Sequence, residues 1–334
     1  RWRKGLLAGS RTIINEARED GRSDPLERPF PFLRSVATTV IFSSVPATSV
    51  ESPYRGQSVL MATMHGKERA VAPPFWRVLG ARVEVASADI DTDAFGTFTG
   101  EVPRSGTMLD AARAKVRLVS EVTGAQYILA SEGSFGPHPS LPFVSANNEL
   151  LLFVDGKFGL EVTELLTTLR TNYSNQVFAP DDDLSAFLAA MRFPSHAVVV
   201  SPHQPSGVFR AIKGIVCADA LKRAIAELAT LSLDAKVRIG SDMRAHVNPT
   251  RMAVIRAAGY RLARRLATPC PSCRAPGFGF AGPVRGLPCE WCGRPTRLAM
   301  AQIHRCSHCG FEERKPLRSA PVAAKPMYCD HCNP

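Results

Sequence analysis

Cys270-Pro-Ser-Cys273, Cys289-Glu-Trp-Cys292, Cys306-Ser-His-Cys309 and Cys329-Asp-His-Cys332 follow one another at the C-terminal end and use eight of the nine cysteines. A Cys-x-x-Cys turn presents two thiolates to one ion, and two such turns complete a tetrahedral Cys₄ site. The segments between Cys273 and Cys289 and between Cys309 and Cys329 hold 15 and 19 residues, the spacing of a zinc ribbon. The eight cysteines are therefore expected to ligate two structural zinc ions, paired in sequence rather than crossed. Paired x-x spacing suits metal better than a disulfide framework. Few large apolar residues could otherwise hold this tail together, and a structural zinc contributes about 10–16 kcal/mol.

Working outward, the 334 residues suffice for two or three domains with ample core. Hydrophobic residues make up 45%, and no apolar run reaches the length of a membrane span, so a cytoplasmic location is expected. The formal charge of +11 is unevenly spread. Residues 61–260 carry 20 basic and 20 acidic side chains, whereas residues 261–334 carry 12 and 4. That excess resembles a nucleic-acid footprint, but eight thiolates around two Zn²⁺ would subtract four charges from it.

Three regions are expected: an N-terminal extension over 1–53 without sustained periodicity, an α/β domain over 54–268, and a double zinc-ribbon region over 269–334. Within the second, Ser58–Thr63, Arg82–Ala86, Tyr127–Ser131 and Leu150–Val154 read as strands, with a helix broken at Pro73-Pro74 and another capped by Thr107. Beyond them, a helix over Asp181–Phe193, strands over Ala197–Val200 and Ile212–Cys217, an extended Lys236–His246 and a helix capped by Asn248 with Pro249 at its first position are expected. The fold class is thus α/β, a mixed sheet with flanking helices, followed by a C-terminal tandem zinc-ribbon region.

In such sheets chemistry collects in the loops beyond the carboxyl ends of strands. Lys67, after the first strand and opening a helix, is placed to meet an anion. Glu132 and Asp155, each ending an apolar strand, are candidate catalytic carboxylates. Asp91 and Asp93 in an extended loop would suit Mg²⁺ held with substrate phosphates. Asp242, Arg244, His246 and Arg251 form the densest polar group, which with His65 would bind a substrate phosphate or base edge, aided by free N–H groups at the helix start. The zinc tail, hung from that helix, would buttress or lid the group. Cys217 reads as a small buried hydrophobe.

His65-Gly66-Lys67-Glu68, Asp91-Thr-Asp93-Ala-Phe-Gly-Thr-Phe-Thr-Gly-Glu101, Glu132-Gly-Ser-Phe-Gly-Pro-His138 and Asp242-Met-Arg244-Ala-His246-Val-Asn248-Pro249-Thr-Arg251, together with the cysteine array, resemble a bacterial family of domain-of-unknown-function proteins. The order of strands and polar loops is also similar, at the level of fold, to the inosine-triphosphate pyrophosphatase and Maf-type enzymes. That resemblance implies a Lys loop holding a triphosphate, carboxylates holding Mg²⁺ and a late His-Arg element reading the base. Lys67, Glu132, Asp155 and the Arg244/His246/Arg251 group would fill those places, although the Ser/Thr-x-Asn signature of the first loop is missing. The expected function is a Mg²⁺-dependent hydrolase or transferase acting on a nucleotide or other phosphorylated small molecule. The alternative is a non-enzymatic zinc-ribbon protein that binds nucleic acid or a protein partner.

Overall fold

The computed structural model describes residues 52–86, 106–138, 141–204, 210–317 and 321–334, all within the compact unit Val50–Pro334. The expected extension over 1–53 falls almost wholly outside these residues, as do Asp91, Asp93 and Glu101. No helix among the described residues is long and apolar enough to cross a membrane.

The first sheet contains β1 (Ser58–Ala62), β2 (Arg82–Val85), β3 (Tyr127–His138), β4 (Leu141–Asp155) and β5 (Leu160–Thr168), in the order β2-β1-β3-β4-β5. β1 is parallel to both neighbours, while β3–β4 and β4–β5 are antiparallel. Alternating side chains divide between its two faces. Tyr127, Leu129, Leu151 and Phe153 meet Val71 and Phe75 of α1 (Glu68–Leu79) and Ile255 and Leu262 of α5 (Pro249–Leu266). Ile128, Ala130, Leu150 and Leu152 meet Ala112, Val116 and Val119 of α2 (Met108–Thr123), which starts with the expected Thr107 capping box.

Two local expectations change. Pro73 and Pro74 do not break α1, which runs through both. An interior proline removes a backbone hydrogen bond, and here tertiary packing compensates: Pro74 is buried against α5 at Gly259, where a Cβ would lie 3.0 Å from the proline ring. Glu132–His138 is not a loop either. It continues β3, paired residue by residue with β4 as far as Pro137↔Ser145.

A second sheet holds β6 (Asn175–Phe178), β7 (Val198–Pro202), β8 (Ile212–Ile215) and β9 (Val237–Ser241), ordered β6-β9-β7-β8 and antiparallel throughout. It has its own core, in which Val198, Val200 and Ile239 pack on Leu221 and Leu228 of α4 (Ala218–Ala229). The expected Asp181–Phe193 helix shrinks to the short α3 (Ser185–Ala190). The extended reading of Lys236–His246 holds only to Ser241; beyond it Ala245–Val247 coils into a 3₁₀ turn, so Asp242, Arg244 and His246 do not share a strand face. Cys217, expected buried, is exposed just before α4. The third sheet is the antiparallel β10 (Gly279–Arg285), β11 (Ala299–Arg305) and β12 (Glu312–Pro316).

Candidate functional site

The cysteines form two four-sulfur groups that could each hold a metal ion: Cys270, Cys273, Cys306 and Cys309 in one, Cys289, Cys292, Cys329 and Cys332 in the other. Within each, all four sulfurs lie within 4.8 Å of one another. The closest pairs are 3.7 and 3.8 Å apart in the first group and 3.6 and 3.9 Å in the second. A tetrahedral ion with metal–sulfur bonds of about 2.3 Å needs sulfur–sulfur edges of about 3.8 Å, so the donor set fits zinc. All nine cysteines are free of disulfides.

The pairing is interleaved, first knuckle with third and second with fourth, which corrects the expected pairing in sequence. The strands between the knuckles impose it. β10 leads away from the first knuckle and β11 returns, with Gly279 opposite Arg305 directly before Cys306, so knuckles one and three meet at one end. The second knuckle sits in the turn between β10 and β11. β12 then carries the chain back, and Ala324 bridges to Cys289, which brings knuckle four to knuckle two. Seven-residue strands at about 3.4 Å per residue place the two centres on the order of 20 Å apart.

The first centre belongs to the α/β core. Cys270, Ala275, Phe278 and Cys306 pack with Leu160, Val162, Leu262 and Leu266. Arg265 fastens the junction by donating to the carbonyl oxygens of Gly277 (3.1 Å) and Thr163 (2.8 Å). This contact is at the C-terminal end of α5. Arg251 lies fourteen residues before Arg265, about 21 Å away at 1.5 Å per residue. The tail therefore buttresses α5 and β5, but it is not a lid over Asp242–Arg251.

At the other end of α5 lies a buried polar seam. Glu149 on β4 is fully buried and accepts from Arg251 Nε at 2.7 Å. The same guanidinium donates to the Met243 carbonyl and lies 4.9 Å from the centre of the Phe135 ring. Gly133 makes this possible, because a Cβ there would overlap Arg251 Nη2. On the α2 side of the sheet, Lys115 Nζ is 2.5 Å from Glu132 Oε1, both buried. Lys67 joins the seam where β1 ends: its Nζ donates to the Ser131 carbonyl at 3.1 Å. Burial, and then the nearby Arg251 and Lys115, lower the Lys67 pKa to about 7. Three cations thus meet two carboxylates, and each carboxylate already has a cation of its own.

The other predicted site residues divide. Asp155 is paired with Tyr127, five residues from the level of Glu132, or about 17 Å along the strand. It caps a turn: Oδ1 accepts from the Lys157 and Phe158 amides, and Oδ2 from the Tyr54 hydroxyl at 3.0 Å. It has no place in a catalytic group with Glu132. Asp242 accepts a forked pair from Arg244 and a further bond from the Gly214 amide at 2.9 Å. The expected free N–H groups at the start of α5 are occupied. The Thr250 amide donates to His196 Nε2, that of Arg251 to the Asn248 side chain and that of Met252 to the Asn248 carbonyl.

His65 and His246 do come together, stacked with ring centres 5.2 Å apart and planes within 8°. His246 lines a surface groove of about 350 Å³ with Gly66, Arg69, Met252 and Arg256, and among the described residues no carboxylate lines it. Burial, then Arg244 and further Arg69, hold the His246 pKa below its ordinary value, while Asp242 offsets part of this. Arg69, Arg256, Lys115 and Glu149 were not among the expected site residues. Lys115 and Glu149 carried a signal, since each is a charge in phase with an apolar stripe, on α2 and β4 respectively. Among the described residues only the two cysteine groups gather three or more candidate metal ligands.

No curated protein matches the chain. A family profile described as Domain of unknown function (DUF6671) matches residues 115–334, a span that takes in Glu132, Glu149, His246, Arg251 and both cysteine centres but begins after His65, Lys67 and Arg69. The expected kinship with uncharacterised proteins is thereby established, and the chain belongs to the DUF6671 family.

Proposed function

We propose that the chain binds a phosphorylated small molecule in the groove beside His65 and His246, while zinc in the two cysteine centres has a structural role. The observation that carries the first part is the groove lining: among the described residues, Arg69, Arg256 and the stacked imidazole of His246 line it without a carboxylate, Glu68 lying 3.6 Å from Arg69 Nε outside the lining. Guanidinium groups match phosphate oxygens in forked pairs, and an imidazole kept neutral by burial and two neighbouring guanidiniums gains a proton when an anion arrives. Lys67, next in the chain to Gly66 of the groove, is buried and turns its Nζ inward onto the Ser131 carbonyl, so it does not line the groove. For the zinc, four thiolates at tetrahedral spacing are the donor set of a structural site.

Binding is favoured over hydrolysis by the state of the carboxylates. Glu132 is joined to Lys115 and Glu149 to Arg251, and Asp155 caps a remote turn. A Mg²⁺-dependent reaction would have to draw on Asp91 and Asp93, outside the described residues.

Titration calorimetry with nucleoside mono- and triphosphates, with and without Mg²⁺, tests the reading. Micromolar affinity that falls tenfold or more in His246→Ala and Arg256→Ala, and that strengthens as the pH falls below about 6.5 through proton uptake by His246, is the expected result. Absence of binding, or binding indifferent to both substitutions, overturns it. Phosphate release in the same titrations, lost in Asp91→Asn/Asp93→Asn, would convert the binder into an enzyme. Elemental analysis giving two zinc per chain is expected; one iron at either centre, visible as colour, would refute the zinc assignment.

A further inference from the structure

Away from that groove, the outer surface of the α1–α5 layer carries charge that the fold does not neutralise. α1 and α5 pack side by side on one face of the first sheet, with Val71, Phe75, Ile255, Ala258 and Leu262 turned inward. The eighteen residues of α5 contain five arginines and no acid. Arg251 and Arg265 are used internally, as described; Arg256, Arg261 and Arg264 are exposed. α1 adds Arg69 and Arg77 outward against one acid, Glu68.

Exposed helix arginines that serve stability are ordinarily accompanied by an acid three or four residues away. Here Arg261 reaches Glu164 at 2.6 Å, but Arg77 and Arg264 converge on Tyr260 instead. Arg77 Nη1 donates to the Tyr260 hydroxyl at 2.9 Å, and the Arg264 guanidinium lies 5.9 Å from the Tyr260 ring centre. Tyr260 thus positions two guanidiniums without neutralising either, and among the described residues neither has a carboxylate partner. Next to Arg77, the indole of Trp76 is 61% exposed.

The zinc tail differs. Each of its four acids is paired with a tail cation: Arg297 with Asp330, Arg305 with Glu312, Lys315 with Glu313 and Lys325 with Glu290. The tail sequence holds five further cations, Arg274, Arg285, Arg294, Arg314 and Arg318, and it is the eight thiolates around two Zn²⁺ that would offset about four of those charges.

We infer that the α1–α5 face binds single-stranded nucleic acid, with Arg77, Arg256 and Arg264 on the phosphates and Trp76 stacking on a base. A row from Arg256 to Arg264 covers about 12 Å of helix, enough for more than one phosphate. The exposed indole of Trp76, next to Arg77 in α1 and lining a shallow groove with Arg69, Arg82 and Glu84 toward β2, is the feature a base uses and an acidic peptide does not. This inference rests on residues outside the His65–His246 groove, apart from Arg256, and stands whether or not a small phosphate binds there.

The test is fluorescence anisotropy of the full chain with a labelled 15-nucleotide oligothymidylate at 50 mM salt. Arg77→Ala/Arg264→Ala should weaken binding at least tenfold and flatten the slope of log affinity against log salt by about 1.4, the share of two phosphates on a single strand. Trp76→Ala should cost roughly tenfold more. Both variants should keep the wild-type melting temperature, and mononucleotide binding in the groove within twofold, because neither touches a core or the groove. No binding at 50 mM salt overturns the inference. So does binding that survives these substitutions but is lost in Arg294→Ala/Arg314→Ala of the tail. Displacement by polyglutamate as effective as by oligothymidylate would also overturn it, in favour of an acidic protein partner.

Discussion

The two cysteine centres have the same ligands and the same spacing, yet they are embedded in different ways. Cys270 and Cys306 lie in one apolar core with Val162, Leu262 and Leu266. Cys289 and Cys329 are equally buried, but they belong to none of the three apolar clusters and are covered mainly by their own loops, Leu287 and Ala324 among them. Identical chemistry thus performs two tasks. The proximal centre completes the α/β core, and the distal one folds the end of the three-stranded sheet on itself.

The largest consequence concerns loss of a ligand. A structural zinc contributes about 10–16 kcal/mol, comparable to the whole net stability of a domain at about 5–15 kcal/mol. Cys306→Ser is expected to abolish the cooperative melt of the α/β unit. Cys329→Ser should leave one zinc per chain and a melting temperature within a few degrees of wild type. Circular dichroism melts with zinc quantification decide it, and equal damage from the two substitutions would erase the distinction.

A smaller effect tests how far the proximal unit extends. Arg251→Met leaves the fully buried Glu149 without its cation, a loss of about 3–5 kcal/mol. Glu149→Leu combined with Arg251→Met should recover much of it. Since the seam and the proximal centre share α5, zinc from that centre should be released in the same urea transition, with the distal ion retained. Gly277→Ala probes the junction itself. Gly277 has φ of +92°, and a Cβ would lie 2.7 Å from Val162 Cγ2. About 1–3 kcal/mol is expected, together with faster zinc exchange at the proximal centre only.

Much of this was legible in the sequence, and the failures share a cause. Eight ligands were plain from the Cys-x-x-Cys turns, as were the α5 cap at Asn248 and the apolar stripe behind it. The pairing was not, because spacing counts residues and ignores the strand between two knuckles, which carries them to opposite ends of a sheet. Gly133 and Pro137 made β3 look finished at Ser131. The glycine is there for the approach of Arg251, from more than a hundred residues away. Asp155 resembled a catalytic carboxylate because a strand-ending Asp-Gly is also what a turn cap requires. The charges that do lie in the core, Lys115 and Glu149, were readable only as interruptions of an apolar stripe. Their partners are long-range, and periodicity cannot name them.

The smallest effect is the response to pH, which reads the same unit from the start of α5. His196 Nε2 accepts from the Thr250 amide at 3.2 Å and lies 2.9 Å from its hydroxyl, which in turn accepts from Arg192 Nη1. That pattern needs a neutral ring with its proton on Nδ1, toward Ser195 Oγ at 3.0 Å. Burial, and then Arg192, accordingly hold the His196 pKa below its ordinary value. A folded-state pKa below the unfolded one means that the native state binds fewer protons. The stabilisation is therefore complete above about pH 6.5 and is lost as the pH falls below it, by at most about 1.4 kcal/mol per pH unit for this histidine. Urea midpoints between pH 8 and pH 5 should show a decline that His196→Asn makes shallower, while zinc at the distal centre departs along its own curve, set by its thiolates. If the substitution leaves the pH slope unchanged, the start of α5 does not contribute to the proximal unit as its hydrogen bonds indicate.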